Sequence, residues 1–305
     1  MRLVSFVDQQ GDMRAGAIVG ERVIDLTQAI AALPMPESIA ERSLAVPTSA
    51  MLRLLYAGAD GFTVIRCNVD NAIAAGALDR HPLWREVKLM APIPRPGKIV
   101  AIGRNYANHA KETGVQPFER PRIIAKLSSS VVGPGAVVRR PAAVTKLDLE
   151  AELAVVIGAF GSNVSRASAL EFVAGYTMLN DISAREFQFD VSPPQTTFAK
   201  SMDGFCPMGP WLVTADEIPD PQALEISSYL NDVPMQTGTT ADMLFPVDHL
   251  IEYLSQFMTL EPGDVIATGT PAGSGAFRDP PIWLKPGDRV RMEISKIGTL
   301  QHSIG

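Results

Sequence analysis

Between Lys146 and Ile157 the chain reads KLDLEAELAVVI, and beyond Glu152 every position is apolar. Leu153, Val155 and Ile157 alternate with Ala154 and Val156, so a strand here is apolar on both faces and buried on both. Residues two apart on a strand share a face, so Glu150 and Glu152 point the same way at its mouth. Like charges that close repel, and burying them is costly unless something cationic compensates. A hard divalent cation with oxygen ligands would do so.

The N-terminal pattern is different. Residues 2–7, 14–19 and 22–25 alternate or run apolar between Gly11 and Gly20, which predicts a small antiparallel meander. Thr27–Leu33 reads as a short helix. Thr48–Ala57 reads as another, capped by Thr48 or Ser49, with Met51, Leu52, Leu54 and Leu55 on one face and Gly58 as its stop. Asp60 is placed to cap a third helix over 62–75. The segment APIPRPGK, Ala91–Lys98, crowds three prolines into five residues, which neither a helix nor a central strand tolerates. It marks a boundary between a small N-terminal α/β domain, 1–90, and a larger domain, 91–305.

Past that boundary Ile99–Ile102 reads as a strand, Gly103-Arg104-Asn105 as a turn and Tyr106–Glu112 as a short helix. His109 and Glu112 are three apart and face the same way. A carboxylate beside an imidazole orients it and raises its basicity, the arrangement of a general base. A short strand is expected at 136–139. Ser168–Glu171 has capping-box spacing, which predicts a helix through Ala174 ended by Gly175. Tyr176–Leu179 follows as a strand, with Asn180-Asp181 at its end. Leu224–Leu230 and Val233–Thr237 form a hairpin across Asn231-Asp232. Pro246–Phe257 reads as a helix in which His249 is a structural histidine. Asp264–Ala267 is a strand leading into Thr268-Gly269-Thr270-Pro271, whose hydroxyls and amides suit a carboxylate. The last strand is expected near Arg289–Ile294.

Composition narrows the partners. The chain has 305 residues, 46% hydrophobic and 20% charged, ample for a large core. A net charge of −6 without a basic cluster argues against nucleic acid. No apolar run reaches the length of a membrane span, and the first residues turn polar too early for a signal peptide, so a cytoplasmic protein is expected. The two cysteines, Cys67 and Cys206, have no metal spacing and read as buried reduced thiols.

Five segments taken in order resemble the fumarylacetoacetate hydrolase superfamily: Gly103–Tyr106 with His109 and Glu112, LDLEAELAVVIG, GYTMLNDISARE-x-Q, FAKSMDGFCPMGPW and LEPGDVIATGTPAGSG. The likeness covers about residues 90–305, and the N-terminal meander is similar to that of two-domain bacterial members. The resemblance implies an α+β, mostly β fold: a mixed β-sandwich roll with the small N-terminal domain, usually dimeric. It implies that Glu150, Glu152 and Asp181 are carboxylate ligands of Mg²⁺ or Mn²⁺, and that His109 and Glu112 activate water. Lys200 would lie near substrate oxygen atoms, and Thr270 would bind the carboxylate of a 2-oxo acid. Arg185, Gln188 and Arg104 would reach into the pocket.

The implied reaction is hydrolysis of the C3–C4 bond of a 3-acylpyruvate, giving pyruvate and a second acid. Oxaloacetate decarboxylation is the first alternative, since it needs the same chelate and no attacking water. Isomerisation of a hydroxymuconate-type acid is another. A binding protein that keeps the metal site without turnover is disfavoured, because trio and dyad are both complete. The residues that read the far end of the substrate are not legible in the sequence.

Overall fold

The computed structural model describes residues 1–35, 49–112, 114 and 116–305. The meander forms as expected, with β1 (Arg2–Val7), β2 (Met13–Val19) and β3 (Arg22–Asp25). The short helix expected after β3 forms at Thr27–Ala31, and two longer helices follow among the described residues, α1 (Ala50–Tyr56) and α2 (Gly58–Ala74). Ser49 caps α1 by accepting from the Leu52 amide, while Thr48 lies outside the described residues. Asp60 does not cap the next helix. It sits within the first turn of α2, which begins directly after α1. Then come β4 (Ile99–Gly103), α3 (Ala107–Glu112), β5 (Arg122–Lys126), β6 (Ala151–Ile157), β7 (Val173–Asn180) and β8 (Cys206–Thr214). The chain closes with β9 (Glu225–Leu230), β10 (Val233–Thr239), α4 (Val247–Ser255), β11 (Val265–Ala267), β12 (Arg289–Ile294) and β13 (Gly298–Ile304).

The large sheet runs β3-β2-β1-β8-β7-β6-β11-β4-β5, and a second sheet runs β10-β9-β12-β13. β6 is central and wholly buried. Its alternation sorts the core in two. Leu153, Val155 and Ile157 join one apolar cluster with Ile226, Met292 and Leu300 of the second sheet. Ala154 and Val156 join the other, with Met51, Leu54, Leu55, Ile65 and Val69 of α1 and α2. The molecule is therefore layered as helices, large sheet and small sheet. Both sheet faces are covered, which is why this strand carries no polar alternation. The large sheet also crosses the boundary expected at residue 91, because β1 pairs with β8 through Arg2 and Leu3 opposite Val213 and Leu212.

Several local expectations change. Lys146–Ile157 is two strands, Leu147–Asp148 and Ala151–Ile157, interrupted at Leu149-Glu150; the first piece pairs with Ser183-Ala184. The capping-box segment is a 3₁₀ helix, Arg166–Phe172, and Gly175 lies inside β7 rather than at a helix end. Tertiary pairing overrides the local pattern there: a Cβ on Gly175 would sit 2.1 Å from the Val213 carbonyl of the neighbouring strand. The last strand is β13, not β12. Cys67 is exposed and Cys206 buried, with burial pushing the Cys206 thiol up to about 12. No described helix is long and apolar enough to cross a membrane.

Candidate active site

Topology brings the polar residues to one edge of the large sheet. Ala151 pairs with Asn180 in antiparallel strands, so the start of β6, with Glu150 and Glu152, coincides with the end of β7, where Asp181 follows. β11 is antiparallel to β6 and ends at Ala267, which delivers Thr268-Gly269-Thr270 to the same edge. β4 is parallel to β11 and ends at Gly103, with Arg104 next.

One carboxylate oxygen each from Glu150, Glu152 and Asp181 lies within 4.8 Å of the others. All three side chains are buried, so none is a solvated acid at a strand mouth. Lys200 Nζ donates to Glu150 Oε2 and Asp181 Oδ2 at 2.7 Å and to Ser183 Oγ at 2.8 Å. Arg185 donates from Nη2 to Glu150 Oε1 and Asp148 Oδ2 at 2.7 Å, and from Nη1 to Gln188 Oε1 at 2.8 Å. Lys126 Nζ lies 2.8 Å from Asp181 Oδ1 and donates to the carbonyls of Lys200 and Phe205. The Lys126–Asp181 contact is a Coulombic pair without hydrogen-bond alignment, which leaves Asp181 Oδ1 with no hydrogen-bond partner.

The charges are unevenly distributed. Four buried carboxylates, Asp148, Glu150, Glu152 and Asp181, face three buried cations, Lys126, Arg185 and Lys200. Burial alone would raise Glu150, but Arg185 and Lys200 outweigh it and hold the carboxyl well below the usual range. Glu152 goes the other way. Burial, then Asp181 and Glu150, push it well above the carboxylate range, against Lys200 and a 2.9 Å hydrogen bond from the Gly269 amide. Gly269 makes that bond at φ 98°, where a Cβ would lie 2.8 Å from that of Asn105. The uncompensated charge and the unbonded oxygen thus both fall on the Glu152–Asp181 side. An oxygen-only set of three carboxylates with that deficit fits a hard divalent cation.

His109 is buried on α3, with Nδ1 3.0 Å from Glu112 Oε2. Glu112 is itself fixed, accepting the Gly273 amide at 3.0 Å through Oε1. With Nδ1–H engaged by Glu112, Nε2 is the nitrogen that presents a lone pair. The Phe277 ring meets His109 edge-on at a centroid distance of 5.3 Å. Thr270 Oγ1 donates to the Ala151 carbonyl at 2.9 Å and accepts from Gln236 Nε2 at 2.7 Å, so its hydroxyl is already engaged by protein. One cavity is lined by the acid trio, His109, Arg185, Gln188, Lys200, Thr270 and Arg104. His249 stands outside it, stacked between Phe245 and Tyr253.

Sequence reasoning missed Lys126, Asp148, Asn180 and His302. Asp148 holds Arg185 and accepts the Gly275 and Ala276 amides. It lies two residues before Glu150, and the same alternation that paired the glutamates pointed to it. Asn180 Oδ1 accepts the Glu150 amide at 2.9 Å, and its Nδ2 lies 2.8 Å from His302 Nε2.

Comparison with known proteins places this geometry. Residues 98–305 match the family model described as "Fumarylacetoacetate (FAA) hydrolase C-terminal". Human mitochondrial oxaloacetate tautomerase FAHD2A is 44% identical over 219 residues, 72% of this chain and 70% of that protein. The crystal structure of maleylpyruvate hydrolase from Sphingobium sp. SYK-6, in complex with manganese(II) and pyruvate, superposes with a TM-score of 0.77 at 30% identity, covering 100% of this chain and 98% of that one. That of 5-carboxymethyl-2-hydroxymuconate delta-isomerase from Mycobacterium smegmatis gives 0.72 at 31% identity, with the same coverage.

Proposed function

This chain belongs to the fumarylacetoacetate hydrolase family, and from that premise we propose that it hydrolyses the C3–C4 bond of a 3-acylpyruvate. The observation that carries the reading is the convergence, in one cavity, of the acid trio with the oriented imidazole of His109.

Glu150, Glu152 and Asp181 would hold Mg²⁺ or Mn²⁺. A divalent cation there would supply Lewis-acid polarisation of the substrate's 2-oxo group. His109 Nε2 takes a proton from water, and Glu112 holds the ring in the tautomer that allows it. The resulting hydroxide attacks the C4 carbonyl. The C3–C4 bond breaks, its electron pair moves to C3 and the 2-oxygen, and protonation at C3 releases pyruvate beside the second acid. Lys200 and Arg185 keep Glu150 ionised and aimed, and Lys200 lines the cavity within reach of substrate oxygen atoms. Thr270 would offer its backbone amide to the substrate carboxylate, since its hydroxyl is spent on Ala151. Gln188 and Arg104 would complete the lining.

A second reading, oxaloacetate tautomerisation, is favoured by the 44% identity to the human enzyme of that name. It moves one proton between C3 and the enol oxygen, and His109 could carry it. The test is acetylpyruvate and enol-oxaloacetate assayed with Mn²⁺ on wild type and His109→Ala. Hydrolysis releases pyruvate, whereas tautomerisation only bleaches the enol absorbance. His109→Ala should lose about 10²–10⁴-fold in kcat for acetylpyruvate cleavage, and Glu112→Ala less. Chelation should abolish turnover, and Mg²⁺ or Mn²⁺ should restore it. Enol bleaching without pyruvate release from any acylpyruvate would overturn the hydrolase reading.

A further inference from the structure

Asp148 lies behind the cavity wall, 1% exposed. Its Oδ2 accepts from Arg185 Nε at 2.9 Å and Nη2 at 2.7 Å, and from the Ala276 amide at 3.0 Å. Its Oδ1 accepts from the Gly275 amide at 2.7 Å and from the Leu149 amide at 2.9 Å. Donors crowd both oxygens, so the position calls for a carboxylate; an asparagine would turn its own N–H groups towards one set of them.

These bonds run to the two halves of the site. On one side, the Arg185 Nη2 that meets Asp148 also donates to Glu150 Oε1 at 2.7 Å, so Asp148 fixes the guanidinium that aims a member of the acid trio. On the other, Gly275 and Ala276 belong to the turn 273–277, which serves the imidazole twice. The Gly273 amide holds Glu112 Oε1 at 3.0 Å, and the Phe277 ring meets His109 edge-on. The turn is seated closely: a Cβ on Gly275 would lie 2.8 Å from Asp148 Oδ1 and 1.9 Å from the Ile282 carbonyl. The Arg185 guanidinium carbon also lies 5.6 Å from the centroid of Phe277, so the two arms meet directly as well.

We infer that Asp148 is a positioning residue that couples the two halves. One carboxylate sets the aim of Glu150 through Arg185 and the tautomer of His109 through the turn. It acts only through these neighbours. The inference rests on the reading of Glu150, Glu152 and Asp181 as a Mg²⁺ or Mn²⁺ site beside a general base.

The variant is Asp148→Asn, read in two ways that need no turnover. Mn²⁺ affinity is measured by calorimetry, and the His109 tautomer by long-range ¹H–¹⁵N spectra of the Mg²⁺-loaded protein. Wild type should bind Mn²⁺ and show a single His109 tautomer, protonated at Nδ1. Asp148→Asn should lose about 10- to 100-fold in Mn²⁺ affinity, the usual cost of removing a group that orients a ligand, and should show His109 in both tautomers. Gly275→Ala separates the arms and covers a failure of Asp148→Asn to fold. It displaces the turn and leaves Asp148 on Arg185, so the tautomers should mix while Mn²⁺ affinity is kept. A folded Asp148→Asn with either readout unchanged, or Gly275→Ala with a fixed tautomer, would overturn this inference and leave the metal-site reading standing. Wild type that binds no Mn²⁺ would overturn both.

Discussion

At the scale of single residues, the acids announced themselves by chemistry and the cations did not. Glu150 and Glu152 stood out because charge interrupts an apolar run. Lys126 ends Arg122–Lys126, where a lysine looks like an ordinary edge residue, yet it is buried against Asp181. His302 sits in the polar alternation GTLQHSI, which reads as surface, so neither it nor its hold on Asn180 was visible. Its environment makes a pH prediction. The Asn180 carbonyl is taken by the Glu150 amide, so the amide nitrogen faces His302 Nε2, which must accept. Burial keeps the ring neutral and holds its pKa down to about 4, below the 6.5 of a free imidazole. The unfolded chain therefore binds the proton first, and stability falls as pH drops from about 6.5 to about 4. The loss is on the order of 3 kcal/mol. Denaturant unfolding between pH 7 and pH 4 should show a flatter acid limb in His302→Gln; an unchanged slope would place the titration elsewhere. The acid trio makes a second prediction at this scale. Glu152→Ala should cut Mn²⁺ affinity measured by calorimetry while raising apo stability, because it removes the one acid that burial, Asp181 and Glu150 together disfavour.

At the scale of elements, strong periodicity was legible, while capping signals were legible only in part: Ser49 caps α1 as its position suggests, but the box at Ser168–Glu171 opens no α-helix. The meander, α1, β6 and the β9–β10 hairpin followed from alternation and turn residues. The 3₁₀ segment Arg166–Phe172 did not, because a capping pattern is a local preference and β7 answers to its neighbours on both sides. The hairpin turn is open to improvement. Asn231 and Asp232 have φ of 50° and 67°, the left-handed pair of a type I′ turn. Asn231 anchors it through Asp288 at 2.8 Å, whereas Asp232 makes only exposed ion pairs of 3.7 Å and 3.8 Å. Asp232→Gly should stabilise the protein by about 1 kcal/mol, since glycine relieves the αL cost. That corresponds to a rise of about 2–4 °C in Tm by calorimetry with kcat unchanged; a fall would mean the arginine pairs outweigh the strain.

At the scale of the whole molecule, the proline-rich segment suggested two units, while the sheet is continuous across it. Sequence patterns report which residues are buried but not against what, and here α1 and α2 cover the face of the large sheet opposite the second sheet. Residues 91–305 expressed alone should therefore expose both an unpaired β8 edge and the apolar face beneath those helices, and should aggregate. Recovery of a soluble, metal-binding 91–305 fragment would show instead that the boundary at residue 91 separates independent folding units.

The pairing of Arg2 with Val213 also sets a clock on biosynthesis. A ribosome adding about 5–20 residues per second needs roughly 10–40 s to traverse the intervening chain. Throughout that interval the meander emerges with one flank unmatched, adhesive to any other nascent strand. Cells that make this protein quickly should lose more of it to inclusion bodies than cells that make it slowly, and a holdase that shields the first ninety residues should narrow the difference.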